Sequence, residues 1–391
     1  MNMKILMVNS ASYTNYDVVL YLNKVFGKGS VKELFYDFKG QDVYTNESFR
    51  ALLEKDLADS SFDCVMSTDF YPVIAQVCHE KELKYVSWPY DAPMNVLPCQ
   101  QMGYETNYIF HFDKKEIEKY QKLGYDRFWH MPLGVNTDKF DKFNTSPSYK
   151  ADISFMGKLY RSKLELVRNG LSDEMLVYLD KLISTQRGIR DKWVVDNLIS
   201  QPVIDAMNRD YEAAGSELRI VKEQLSYTIS EYITWIDRTT LLEMLGRRFD
   251  VHLYTLDYGE TEKQILKSVT RHGGLTYTEE MPVMFKSTKI NLNSSLRSAQ
   301  SAIPLRALDV FGCGGFLLTN AQPEICEYFE EGKEVAVFRS LEEAIELSDY
   351  YLKHDSERER VARAGYEKVK RDFRYEDKLI EMFKTAGLWE Q

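Results

Sequence analysis

Arg306 and Asp309 stand three residues apart in the stretch Ile303-Pro304-Leu305-Arg306-Ala307-Leu308-Asp309-Val310-Phe311-Gly312-Cys313-Gly314-Gly315. Residues three apart share one face of a helix. Proline at the first turn, an apolar helix, paired glycines and the following apolar run Phe316–Thr319 make one helix-turn-strand unit. A cation and a carboxylate beside a helix N-terminus suit a nucleoside diphosphate. The helix end and Arg306 meet phosphate, and Asp309 meets ribose hydroxyls.

Other candidates stand at the ends of apolar runs. Gly157-Lys158-Leu159-Tyr160-Arg161-Ser162-Lys163 follows Ile153–Met156 directly. Glycine lets a ligand approach the backbone, and Lys158, Arg161 and Lys163 are suited to phosphates. Taken alone, the same residues read rather as a solvated helix start. Tyr277, in the loop after His272-Gly273-Gly274, faces a nucleobase or packs in the core. Asn293 and the serines after it contact a sugar or cap the next helix. Asp91, in Ser87-Trp88-Pro89-Tyr90-Asp91-Ala92-Pro93, accepts a proton from an acceptor hydroxyl or braces a proline-rich turn. Asn9–Tyr13 and Ser67–Phe70 are further strand-end clusters, and His130 lies in an apolar run that suits packing.

Several chemistries lack their signatures. No G-x-G-x-x-G follows the first strand, and there is no phosphate-loop or nucleophile-turn motif. No D-x-D pair stands at a strand end, so no metal site is expected. The five cysteines lack metal-ligand spacing and read as reduced thiols of a cytoplasmic protein. A net charge of −10 argues against nucleic acid as a partner. No apolar run approaches the roughly 20 residues of a membrane helix.

The elements that must position these residues alternate. In the first half, strands are expected at Lys4–Val8, Asp63–Ser67, Tyr85–Trp88, Tyr108–Phe112 and Phe128–Leu133. Helices are expected at Asp17–Phe26, Pro72–Glu82 and Lys114–Leu123. Alternation implies a parallel sheet covered on both faces, with ligands at the strand ends. Gly134–Ser148 is the linker candidate. A second series opens at Asp152–Gly157 and is interrupted from about Lys163 to Gly246 by helices at Leu171–Leu182, Lys192–Ser200, Pro202–Ala213 and Ser216–Thr234. Strands resume at Val251–Tyr254, Lys289–Leu292, Phe316–Thr319 and Val335–Phe338, followed by helices at Leu341–His354, Glu357–Phe373 and Glu376–Ala386. Two doubly wound units joined by a linker imply a cleft between them.

At these residues the chain resembles a known family. Lys289–Asn293, Ile303–Arg306, Asp309, Gly312–Asn320 and the Tyr350-Tyr351-Leu352 helix resemble the glycosyltransferase domain of CgeB-like spore maturation proteins. Tyr85–Trp88, Tyr90–Pro93 and Phe110–Asp113 resemble that family's companion domain. The resemblance implies an α/β fold of the GT-B kind: two Rossmann-like, doubly wound domains facing a cleft, with a helical insertion in the second. The implied domains are 1–140, an acceptor domain joined by a crossover helix at 374–391, and 150–373, a nucleotide-sugar domain with an insertion at about 163–246.

Retaining GT-B enzymes carry two glutamates eight positions apart. Asp309 takes the place of the second, which contacts ribose, and the first falls on Ser301, which is not acidic. Lys158 and Arg161 match their basic residues after the first strand of the nucleotide domain, and Tyr90-Asp91 falls where many have a His-Asp pair.

The resemblance and the residues imply metal-independent transfer of a sugar from a nucleotide-diphosphate donor, a UDP-sugar, to a hydroxyl on a glycan, protein or lipid-linked acceptor. Arg306 and Asp91 are the catalytic candidates. Gly157, Lys158, Arg161, Tyr277, Asn293, Arg306 and Asp309 are the donor-binding candidates. No cofactor beyond the donor is expected, and the insertion is a candidate for acceptor binding or oligomerisation. A nucleotide-sugar epimerase of the same fold, and a non-catalytic spore or surface-layer protein, are the alternatives.

Overall fold

The computed structural model describes residues 3–10, 12 and 14–389. Ala11 and Tyr13, in the cluster after the first strand, lie outside them. The chain divides into two compact units: Met1–Lys142 with Ser301–Gly312 and Glu367–Gln391, and Phe143–Gln300 with Cys313–Tyr366.

The first unit is built on β1 (Ile5–Asn9), β2 (Val31–Phe35), β3 (Cys64–Ser67), β4 (Lys84–Ser87), β5 (Asn107–His111) and β6 (Phe128–His130). They lie in the order β2-β1-β3-β4-β5-β6, every pair parallel. Every residue of β1 is buried, as a parallel strand covered on both faces requires. Leu6, Val8, Phe49, Val65, Tyr85 and Ile109 belong to its core. The helix Tyr375–Thr385 lies in this unit against Asn15–Phe26. Tyr21 stacks on Tyr375 at 5.2 Å between ring centroids, and Lys24 Nζ meets Glu376 Oε1 at 2.6 Å.

The second unit is built on β7 (Ile153–Met156), β8 (Val251–Tyr254), β9 (Thr270–His272), β10 (Ile290–Asn293), β11 (Leu317–Asn320) and β12 (Ala336–Phe338), in the parallel order β12-β11-β10-β7-β8-β9. Numbered from its own first strand, that order is 3-2-1-4-5-6, the dinucleotide-binding arrangement. The two sheets therefore reverse direction at different places: between β1 and β3 in the first, and between β7 and β10 in the second.

Between β7 and β8 the chain is helical, as expected: Leu164–Arg168, Asp173–Gly188, Val195–Leu198, Gln201–Ala213 and Lys222–Gly246. These helices enclose a core of their own, with Leu179, Trp193, Met207, Tyr211, Leu225 and Ile229. The helix expected at Ser216–Thr234 instead begins at Lys222 and runs 25 residues to Gly246. Its N-terminal residues are drawn off because the Asn208 amide bonds both the N–H and the carbonyl of Ile220, at 2.9 and 3.0 Å. A side-chain amide that satisfies backbone groups in this way competes with the helix. Lys192–Ser200, read as a helix, is mostly loop, with Val195–Leu198 its helical part.

The elements outside the sequence reading include β2, the helix Glu47–Asp59 and the short helices Glu260–Ile265 and Pro323–Tyr328. The strand Val-Lys-Glu-Leu-Phe lies at the sheet edge with Leu34 its buried residue, so it lacks the apolar run of its neighbours.

Candidate functional site

In open α/β sheets ligands bind beyond the carboxyl ends of the strands, where the strand order reverses. In the second unit that place lies between the loop after β7, which begins Gly157-Lys158, and the loop after β10, which begins Ser294-Ser295. Arg238 joins the two. Its guanidinium donates to the Lys158 carbonyl and to the Ser294 carbonyl, and lies over the Phe155 and Tyr160 rings at 5.2 and 4.7 Å. Arg238 is 7 % exposed. A buried cation bonded to carbonyls from two loops fixes their separation, and it places positive charge where phosphate would sit.

Tyr160 holds φ +64°, in the left-handed region that non-glycine residues rarely adopt. Strain of this kind survives where the surroundings impose it, and it clusters at functional sites. Lys158 is exposed beside the loop. Burial pushes the Glu231 carboxyl up, while Lys158 and Lys163 pull it down, so an insertion carboxylate lies within the field of both lysines.

The other predicted residues of this unit are placed differently. The Gly157 amide is spent on the Tyr254 carbonyl at 3.1 Å. Arg161 folds toward the loop after β8. Its N–H bonds Asp257 at 3.1 Å, and its Nε lies 3.8 Å from Glu262, itself held by Trp235 Nε1 at 2.9 Å. Asn293 is 5 % exposed, and its amide donates to Thr319 at 2.9 Å, tying β10 to β11. Tyr277 is partly exposed in the loop that follows β9.

Arg306 and Asp309 lie on the helix Leu305–Gly312, in the segment of chain assigned to the first unit. They pair at 3.2 Å, with 23 % of the Arg306 side chain and 2 % of the Asp309 side chain exposed. The carboxylate thus orients the guanidinium, and the guanidinium is the accessible member. A Cβ at Gly312 would collide with Val135 Cγ2 and crowd Phe140, so glycine alone permits this approach.

Ser301 is 2 % exposed. Its hydroxyl donates to Asp113 Oδ1 at 2.6 Å and accepts the Lys115 N–H at 3.2 Å. Asp113 caps the helix Lys114–Lys122. An acid in place of Ser301 would set two carboxylates against each other in a buried position.

In the first unit, Asp91 is exposed on the loop after β4. The buried His111 places that loop. Its Nδ1 accepts the Asp113 N–H at 3.0 Å, so its Nε2 carries the proton donated to the Asp91 carbonyl at 3.1 Å. Asp69, beyond β3, is pushed up to about 7, first by burial and then by the charge of Asp91. A carboxyl that titrates near neutrality can hold or release a proton at physiological pH.

Arg238 went unnoticed in the sequence because its helix reads as an ordinary charged amphipath. Its signal was present in the pattern: Thr234, Arg238, Leu241, Leu242 and Leu245 share one buried face, and an arginine on such a face needs partners. Among the described residues, no group of three or more His, Cys, Asp or Glu is arranged to hold a metal ion. No described helix is long and apolar enough to cross a membrane.

Residues 238–384 match the profile of a family described as glycosyl transferase-like. Spore protein CgeB of Bacillus subtilis is 23 % identical over 128 residues, and the match covers 33 % of this chain and 38 % of that protein. Among solved structures, Anabaena HepE in complex with UDP-glucose superposes with a TM-score of 0.61 at 10 % identity, covering 99 % of this chain and 100 % of that one. A glycosyltransferase from Rickettsia africae gives 0.59 at 10 % identity, covering 98 % of each chain. Sucrose-phosphate synthase from Thermosynechococcus elongatus gives 0.56 at 10 % identity, also covering 98 % of each. At such identities the likeness is one of fold, and the fold is GT-B.

Proposed function

We propose that the chain is a GT-B glycosyltransferase of the CgeB-like kind, and that it transfers a sugar from a nucleoside diphosphate to a hydroxyl acceptor. The observation that carries this reading is the switch point of the second unit, where Arg238 binds the loops after β7 and β10 together and Lys158 stands exposed beside them. Positive charge fixed before the reaction stabilises a leaving diphosphate as it acquires charge, without the reorganisation water requires. Lys158 supplies that charge without calling on a metal. Uridine is the proposed base, since the HepE structure of the same fold holds UDP-glucose.

In this reading Arg306, oriented by Asp309, is the second charge-stabilising group, and Asp309 positions Arg306 in addition to any contact with ribose. Asp91 takes the proton of the acceptor hydroxyl, with Asp69 able to relay it near neutral pH. The transferred group is a hexosyl unit, and the acceptor is a glycan, a protein side chain or a lipid-linked sugar.

The test is a panel of nucleoside diphosphates and their sugars scored by melting temperature and then by nucleoside diphosphate release. Binding to the folded chain alone raises the melting temperature by mass action. UDP and a UDP-hexose are expected to raise it, with release of UDP once an acceptor is supplied. Stabilisation without release under any acceptor would favour the non-catalytic reading, which the Ser301–Asp113 bond supports by occupying the place of an expected acid.

A further inference from the structure

We propose that a pocket between the helical insertion and the ends of β10 and β11 is a subsite for an anionic group, a carboxylate or a phosphate, carried by the saccharide substrate. The proposal rests on the nucleotide-sugar reading for the identity of that substrate, and on the following geometry for the site.

The pocket is a solvent-open depression with room for about 50 Å³ of ligand or water, and it lies wholly within the second unit. Its lining includes the cations Arg190, Lys192 and Arg297 and one carboxylate, Asp191; Arg297 is paired with Asp237, which leaves Arg190 and Lys192 as the cations for a ligand. That excess of positive charge occurs in a chain whose net charge is −10. Ser295, 8 % exposed, is in the same lining, and its hydroxyl has no hydrogen-bond partner among the described residues. A buried hydroxyl without a partner is unfavourable, and an anionic oxygen would satisfy it.

The wall that carries Arg190 and Lys192 is held in advance. Arg297 donates to the carbonyls of Arg190, Ile189 and Gln186 at 3.1, 2.8 and 3.3 Å, closing the carboxyl end of the helix Asp173–Gly188. Asp237 in turn holds Arg297, with Oδ2 3.4 Å from Nε. Gln186 bonds the carbonyls of Ile189 and Lys192 and accepts the Val194 N–H, at 3.0, 2.9 and 2.8 Å. The backbone from 189 to 194 is therefore fixed from both sides. The Arg190 and Lys192 side chains are exposed and make no ion pair among the described residues. Cations on a preorganised loop bind an anion without the ordering cost a flexible loop would add.

The pocket also adjoins the switch point along the chain. Ser294 gives its carbonyl to Arg238, and the next residue, Ser295, lines the pocket. A ligand whose diphosphate lies at the switch point can thus direct its sugar, or an acceptor beside it, toward Arg190 and Lys192. The helical insertion would then read substrate charge as well as fill space.

The test measures affinities of the full chain by calorimetry at low salt. The probes are UDP; UDP-glucuronate against UDP-glucose; and, with UDP saturating and again without it, glucose 6-phosphate against glucose. The same set is run on the double variant Arg190→Gln/Lys192→Gln. In one pair at least, the anionic member is expected to bind about tenfold tighter or more. The double variant should lose that preference while keeping its UDP affinity and melting temperature, and 0.5 M salt should weaken it in the wild-type chain.

A preference between the UDP-sugars assigns the anion to the donor, and one between the free sugars assigns it to the acceptor. Loss of UDP binding with a retained, Arg190- and Lys192-dependent preference for glucose 6-phosphate would refute the nucleotide reading and leave the subsite standing. Equal binding within every pair, or a preference that survives the double variant, would overturn the subsite.

Discussion

At the switch point of the first unit, between β1 and β3, Asn9 bonds Glu33 at 2.8 Å, Asn15 bonds Asn9 at 2.7 Å, and Thr68 bonds Asn15. At that of the second, between β7 and β10, Arg238 holds two carbonyls and Lys158 stands exposed. Both places follow from the same construction, six parallel strands wound with helices on each face. One is closed by a neutral and acidic side-chain network with Asp69 and Asp91 on the adjoining loops, and the other is basic. Topology sets where a ligand can lie, and the residues closing the strands set the sign of the charge it must carry. The contrast supports the proposal that the leaving diphosphate is held mainly by the second unit and that the acceptor proton is taken in the first.

The most severe way to break the contrast is to remove Arg238. Arg238→Ala should leave the carbonyls of Lys158 and Ser294 without their donor and lower stability by about 2–4 kcal/mol, seen as an earlier urea midpoint. It should also abolish measurable UDP binding. A variant that melts and binds UDP like the wild type would remove Arg238 from the site.

Arg306→Ala tests the segment of the first unit that carries positive charge. Transfer should fall about a hundredfold, the usual loss when one charge-stabilising group is deleted. Arg306→Lys should restore little of it, because an ammonium cannot both keep the contact with Asp309 and present the guanidinium's further N–H donors. Near-normal turnover in the alanine variant would contradict the role.

Lys158→Ala sharpens the comparison from the basic side. With its side chain exposed, the substitution should leave the melting temperature unchanged and weaken UDP about tenfold. Equal affinity for UDP would show that Lys158 is an ordinary surface lysine.

Asp69→Asn sharpens it from the acidic side. The folded chain holds the Asp69 proton more tightly than the unfolded chain, with the carboxyl raised from 3.8 to about 7. Its contribution to stability is therefore complete below pH 3.8 and is lost as the pH rises through about 7. The asparagine variant should melt higher than wild type at pH 8, with a flatter pH dependence between these values and unchanged UDP affinity. Parallel curves for the two proteins would rule out the raised carboxyl.

How much of this was legible in the sequence depended on what each residue had to satisfy. β1, β7 and β11 are buried along nearly their whole length, and unbroken apolar runs reveal them. β2 keeps one buried residue at the sheet edge, so a strand of alternating charge passed unseen. The place of Lys158 after a buried strand was legible, and so was the shared helix face of Arg306 and Asp309, since spacing alone puts them there; that the two pair with each other was not read. Ser301 was seen as a departure, but its bond to Asp113 joins residues 188 positions apart and no local pattern records it. Arg238 was hidden for the same reason, since its partners lie 80 and 56 residues away.

The most direct test of the central claim is a crystal structure of the full chain with UDP. The account predicts the diphosphate at the ends of β7 and β10, within hydrogen-bonding reach of the Lys158 ammonium and beside the loops that Arg238 clamps. UDP bound instead among Asn9, Asn15 and Thr68 at the β1–β3 switch point, with the β7–β10 end empty, would contradict it.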